Sequence, residues 1–101
     1  DNEPLVIVVE SAGDGQRDVR IQIEGPWDSV ATVEELTQFL RSNKIDEFHV
    51  TGLFTDAHPV LIQPTENARW EHTLATYNAV ARAKYTNITL DAPVTKLDVL
   101  Q

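Results

Sequence analysis

The stretch from Pro59 to Pro93 admits few backbone arrangements. Val60-Leu61-Ile62 is a short apolar run, followed by a polar break, a segment of helical periodicity and a second β-like run, Ile88-Thr89-Leu90. The order reads strand, helix, strand. In the middle segment Trp70, Leu74, Tyr77, Val80 and Ala81 recur at three- and four-residue spacing, which predicts one apolar helix face and a core position for Trp70. Asn67 is expected as the N-cap, and Arg82 and Lys84 put positive charge where the helix dipole favours it. Two strands joined by one such helix should lie parallel, through a right-handed crossover.

Upstream, Leu5 to Glu10 is a dense β-branched run that reads as a strand central in its sheet or covered on both faces. Ser11 to Gly15 is a turn cluster. Asp18 to Glu24 then alternates strictly, with Val19, Ile21 and Ile23 on one side, so a first antiparallel hairpin is expected. Thr32 and Glu35 have the spacing of a capping box, and Val33, Leu36, Phe39 and Leu40 form the apolar stripe of a first helix. The acidic pair Glu34-Glu35 is what the dipole asks of a first turn, so it needs no catalytic explanation. In the segment from Ile45 to His58, the even spacing of Phe48, Val50 and Phe54 fits an extra strand over 48–53 paired with 60–63, with Gly52 as a bulge, or a packed loop. The expected fold class is α+β: a ββαβαβ two-layer sandwich with two helices packed on one face of a mixed sheet. Residues 1–93 form the domain, and residues 94–101 a tail or edge strand.

A chain of 101 residues is the size of one domain and should bury roughly 60–70% of its unfolded surface. Its net charge of −8, from 16 acidic and 8 basic residues, works against unassisted binding to nucleic acid or an anionic membrane. With no cysteine, thiolate metal sites and disulfides are excluded. The chain starts at Asp1 and contains no methionine, which points to a piece of something longer.

Three histidines, His49, His58 and His72, are the candidate imidazoles, and none has the helical spacing of a metal pair. Ser11, Ser29 and Ser42 lack a nucleophile-elbow context. No catalytic, cofactor or metal residue is assigned on these grounds, and a non-enzyme is expected. Trp27, in the connection after Gly25-Pro26, either plugs the sheet's end or contacts a partner.

The segment order resembles the periplasmic domain of the ExbD/TolR family of biopolymer transport proteins. Val60 to Gln63, Thr65-Glu66-Asn67, Ala68-Arg69-Trp70, Leu74, Tyr77, Val80, Arg82-Ala83 and Ile88 to Leu90 match the family's strand, polar loop, aromatic-led helix and final strand without a gap. The family often carries Asp and Lys where this chain has Thr65 and Glu66, and Ala-Gly where it has Ala83-Lys84. If that glycine is a left-handed cap, Lys84 must adopt the same backbone at a cost, or the helix runs longer.

The resemblance implies a membrane-anchored parent whose transmembrane helix carries a proton-linked Asp. It implies an ExbB/TolQ-like proton-channel protein alongside, and a periplasmic homodimer that engages a TonB- or TolA-like transducer or peptidoglycan. Partner contacts carried over from the family fall on Thr65, Glu66, Asn67 and Arg69. The rival reading is a small regulatory ligand-binding α+β module, since simple folds host many functions. A small hydrolase using His72 or His58 with a nearby carboxylate is a third.

Overall fold

The order of elements in the computed structural model, which describes residues 3–25, 27, 30 and 32–91, is that of an α+β two-layer domain. Strands β1 (Leu5–Ala12), β2 (Asp18–Ile23), β3 (Val60–Pro64) and β4 (Ile88–Leu90) form one mixed sheet in the order β2-β1-β3-β4. Helices α1 (Val33–Ser42) and α2 (Trp70–Arg82) complete the fold. The tail expected at 94–101 lies outside the described residues.

Alternation sets the sheet's two faces. Leu5, Ile7 and Val9 of β1 are buried, and so are Ile21 and Ile23 of β2, which stand opposite Val9 and Ile7 in the antiparallel register. β1 is central, as expected. It is not covered on both faces, because Val6 and Val8 on the reverse side are only half-buried. β1 pairs with β3 in parallel, and β3 with β4, so the crossover through α2 joins parallel neighbours.

The hairpin turns through one 3-10 turn, Asp14–Gln16, in which Gly15 and Gln16 take positive φ. α1 starts as its sequence indicates. The Thr32 Oγ1 accepts the Glu35 amide at 3.1 Å and donates to the Glu35 carboxylate at 3.2 Å. Leu36 and Leu40 are fully buried, while Val33 and Phe39 pack half-buried beside them.

α2 differs from expectation at its start and in the face it buries. It begins at Trp70 with Arg69 in the N-cap position and no side-chain cap from Asn67. The buried line is Thr73, Thr76, Ala79, Val80 and Ala83. Trp70 is 64% exposed, and Leu74 and Tyr77 are exposed too, which overturns the core position expected for Trp70. The reason is distance. Alanine and threonine let the helix approach the sheet and α1 closely, and the polar cost of Thr76 vanishes because its hydroxyl donates to the His72 carbonyl at 2.8 Å. Trp70 on that face would hold the layers apart.

At its far end α2 closes with a Schellman motif. The Lys84 amide bonds the Ala81 carbonyl and the Tyr85 amide bonds the Val80 carbonyl, with Lys84 itself at φ 71°. A lysine therefore holds the left-handed position at which glycine carries no steric penalty. The next residue, Tyr85, is buried and donates its hydroxyl to the Leu40 carbonyl at 2.7 Å, joining the ends of both helices.

Residues 45–59 form a loop rather than the strand over 48–53. A single backbone bridge links Lys44 to Phe54, and only Phe54 of the evenly spaced apolar residues is buried. Gly52 is required by close approach and not by a bulge. A Cβ there would stand 2.7 Å from the Lys44 carbonyl carbon and oxygen.

Candidate partner-docking site

The residues expected to contact a partner do not come together. Trp27 lies where β1 begins and packs edge-to-face on Phe39 and Phe54, with ring centroids 5.5 and 5.9 Å apart. It is the plug of the sheet's end. Thr65, Glu66, Asn67 and Arg69 lie at the opposite end, where α2 begins. Three of these four are engaged within the chain. Thr65 donates to the Asn67 side-chain oxygen, Asn67 reaches the Ser11 carbonyl at 3.5 Å, and the Arg69 guanidinium bonds the Gly15 carbonyl and the Glu71 carboxylate. They tie the hairpin turn to α2, and Glu66 alone of the four stands exposed with no such tie.

The same corner holds a serine and a histidine that sequence spacing gave no reason to connect. Ser11 Oγ accepts the Arg69 amide at 2.7 Å and donates to His72 Nδ1 at 2.7 Å. His72 Nε2 lies 3.1 Å from the Arg17 carbonyl, which can only accept, so that nitrogen carries the proton. A cleft of about 490 Å³ adjoins His72, lined also by Arg17, Asp18, Thr32 and Glu34. The pairing has the reach of a nucleophile and base, but Ser11 is only 2% exposed, and its oxygen already receives an amide. A carbonyl, not a carboxylate, orients the imidazole. The chemistry this arrangement performs is capping: a strand hydroxyl satisfies the amide at the start of α2 that Asn67 leaves unpaired.

The other histidines are likewise placed by local contacts. His49 sits 3.1 Å from the Asp46 carboxylate, and His58 packs on Phe54 with the rings inclined at 51° and their centroids 4.8 Å apart. Hydrogen bonds from the Phe48 and His49 amides, with the adjacent His49 ring, hold the Asp46 carboxyl below the usual carboxylate range. Among the described residues no group of three His, Asp or Glu side chains could hold a metal.

Exposed apolar surface is the remaining signal. Eight large apolar side chains are exposed among the described residues, and they fall into two groups of four. One group, Ile45, Phe48, Val50 and Leu53, belongs to the loop after α1. The other, Trp70, Leu74, Tyr77 and Leu90, belongs to α2 and β4.

The second group forms a ledge beside a strand edge that is unpaired among the described residues. His72 reaches Ser11 and Arg17 on the hairpin side of α2. With 100° between successive residues, Trp70, Leu74 and Tyr77 then face the opposite flank, over β4. Leu90 stands opposite the buried Ile62, so its side chain lies on the helix side of the sheet beneath them. Among the described residues β4 pairs with β3 alone. The Val60 amide bonds the Asn87 carbonyl and the Asp91 amide bonds the Ile62 carbonyl, so Asn87 and Asp91 turn toward β3. Ile88 and Leu90 direct their backbone amides and carbonyls outward. An extended segment laid there would find main-chain partners on one side and the ledge above it.

No protein-family model, no curated protein and no solved structure matches this chain.

Proposed function

We propose that the chain is a non-enzymatic docking domain that accepts an extended segment at the β4 edge. Its setting is the periplasmic part of a proton-motive-force-driven transport complex of the ExbD/TolR kind. In that setting it forms a homodimer and couples an ExbB/TolQ-like proton channel to a TonB- or TolA-like transducer or to peptidoglycan. The observation that carries the reading is the ledge of Trp70, Leu74, Tyr77 and Leu90 beside outward-facing backbone groups. Exposing a tryptophan contributes nothing to the fold, and exposed aromatics next to an unpaired edge are what strand addition uses for affinity. The segment order strand, strand, helix, strand, helix, strand is the further support for the family setting.

Sedimentation velocity over a concentration series tests the edge. Leu90→Pro removes an outward donor without touching the bonds to β3, and Trp70→Ala with Tyr77→Ala strips the ledge. A dimer that both substitutions dissolve supports the reading. A protein that stays monomeric at every concentration, or a dimer indifferent to both, overturns β4 as the self-association edge. The parent reading frame tests the setting: upstream of Asp1 it should encode about twenty apolar residues with one acidic residue among them. Its absence would sink the membrane-coupled part of the proposal.

A further inference from the structure

The other exposed apolar group stands at the end of the molecule where both helices finish. Its loop leaves α1 at Lys44 and rejoins at the buried Phe54. Between them the Asp46 carboxylate accepts the Phe48 and His49 amides, each at 2.8 Å. The turn is therefore anchored at its ends and braced within, yet Phe48 and Val50 are 81% and 77% exposed. Phe54 does the anchoring, and neither Phe48 nor Val50 contributes to it. A braced convex turn that displays a phenylalanine and a valine outward calls for an apolar phase to receive them.

Beside this turn is a cleft of about 300 Å³ lined by Arg41, Lys44, Arg82 and Lys84, with Asp46 and His49. Those four cations are half of the eight in a chain whose net charge is −8. Arg41 and Arg82 complete the last turns of α1 and α2, where the dipoles account for them. Lys84 follows the last turn of α2, where its charge still suits the dipole, and Lys44 donates its ammonium to the Lys84 carbonyl at 3.3 Å, so the two helix ends gather all four cations at one cleft. Against the four stand Asp46, Glu47 and Asp56 on the loop itself, the last with its carbonyl receiving the Thr86 amide at 2.9 Å, while Glu3 and Glu24 flank the strand ends in the sheet layer. The carboxylates of Glu34, Glu35 and Glu71 sit in the first helical turns, at the far end. The 13 residues of α2 separate the two ends by about 20 Å, roughly two Debye lengths at physiological ionic strength. Most of the chain's carboxylates lie beyond the reach of this face at physiological salt, and the four cations of the cleft outnumber the acidic side chains beside them. The face's own cations act at contact.

We infer that this end of the helix layer docks on an anionic lipid surface. Phe48 and Val50, with Ile45 and Leu53 behind them, enter the interfacial zone, and Arg41, Lys44, Arg82 and Lys84 meet the headgroups. A convex apolar tip fits a fluid boundary that needs no matching pocket, and cations set beside the tip lie at headgroup depth. The surface is separate from the β4 ledge, so each can be removed without the other.

The test is co-sedimentation of the 101-residue chain with vesicles of phosphatidylcholine alone and of phosphatidylcholine with phosphatidylglycerol, at low and physiological salt. The anionic vesicles should bind roughly tenfold or more tightly than the neutral ones, with the preference shrinking as salt rises. Phe48→Ser with Val50→Ser should abolish binding to both. Lys44→Gln with Lys84→Gln should remove the anionic preference. A Phe48→Trp protein should shift its emission to the blue on anionic vesicles. Phe48, Val50 and Lys84 are exposed, whereas Lys44 is half-buried with its ammonium on the Lys84 carbonyl, so melting curves that match the parent protein's are required of each variant before its binding is read. No binding to anionic vesicles at low salt overturns the inference. So does binding that survives loss of Phe48 and Val50. Emission from the Phe48→Trp protein that vesicles leave unmoved overturns it as well, and is the outcome expected if an acidic protein occupies this face.

Discussion

Replacing Tyr85 by phenylalanine removes one oxygen and keeps every carbon of the side chain. That oxygen donates to the Leu40 carbonyl at 2.7 Å, one of the last carbonyls of α1 that the helix cannot satisfy itself. The amides that follow bond elsewhere: Asn43 to the Phe39 carbonyl and Lys44 to the Arg41 carbonyl. Tyr85 is 2% exposed and Leu40 fully buried, so water has no route to replace the hydroxyl. A typical hydrogen bond contributes about 1 kcal/mol net, but an acceptor left buried and unpaired costs about 1–3 kcal/mol. Tyr85→Phe should therefore destabilise by about 2 kcal/mol, which for a domain this size lowers the melting temperature by roughly 8–16 °C.

Equilibrium urea unfolding, followed by circular dichroism, measures the loss, and pH supplies an independent arm. Burial pushes the Tyr85 hydroxyl up to about 12 from its ordinary 10, since a phenolate would be stranded in the core. The folded form holds its proton after the unfolded form has lost it. Stability from this group is thus complete below pH 10 and lost as pH rises through about 12, by about 3 kcal/mol at the limit. Phenylalanine has no proton to lose, and all other titrations are common to both proteins. The wild-type advantage should hold to pH 10 and shrink toward zero by pH 12. A variant within about 0.5 kcal/mol of wild type at neutral pH refutes the argument, as do parallel curves between pH 10 and 12.

Lys84→Gly should stabilise by about 0.5–1 kcal/mol, because relief of a left-handed lysine outweighs the added freedom of the unfolded chain; thermal melts would show it as a rise of a few degrees. Ser11→Ala leaves the Arg69 amide and His72 Nδ1 unpaired and should cost about 1–3 kcal/mol, with hydrogen exchange at Arg69 speeding up ahead of that in the sheet. Gly52→Ala drives a methyl group into the Lys44 carbonyl and should cost about 1–3 kcal/mol in denaturant unfolding, while Gly15→Ala meets no backbone atom and costs only its positive φ.

What was legible in the sequence is what neighbouring residues decide between themselves. The Thr32 capping box, the Leu36 and Leu40 stripe and the alternation in β2 are local, and each stands where its spacing puts it. The left-handed Lys84 could be anticipated only by likeness to a glycine position, since nothing in its own chemistry asks for φ of 71°. The cap of α2 was out of reach. Asn67 is the right residue type at the right distance, but the Arg69 amide is taken by Ser11, 58 residues away in sequence. No window of residues around α2 contains that hydroxyl. The Phe48 to Phe54 alternation failed for a related reason: Trp27 and His58 pack on Phe54 from outside the segment, and among the described residues the rest of the run pairs with no strand.

The remaining mismatches have a common cause that bears on function. Periodicity assigns a large apolar side chain to the core because burial inside its own chain is the commonest reason to have one. Trp70, Leu74 and Tyr77 fulfil the spacing of a buried face as well as the buried Thr73, Thr76 and Val80 do, and carry more apolar area. The chain nonetheless buries the smaller set, because the contact of α2 with both the sheet and α1 admits threonine, alanine and valine but not an indole. Among the described residues, α2 has one packed face and a second, larger apolar face directed over the outer edge of β4. Phe48 and Val50 likewise stand exposed in a loop that Phe54 already anchors. The side chains that pattern assigns to the core or to a strand and the structure exposes are therefore the ones on which both proposed docking surfaces rest.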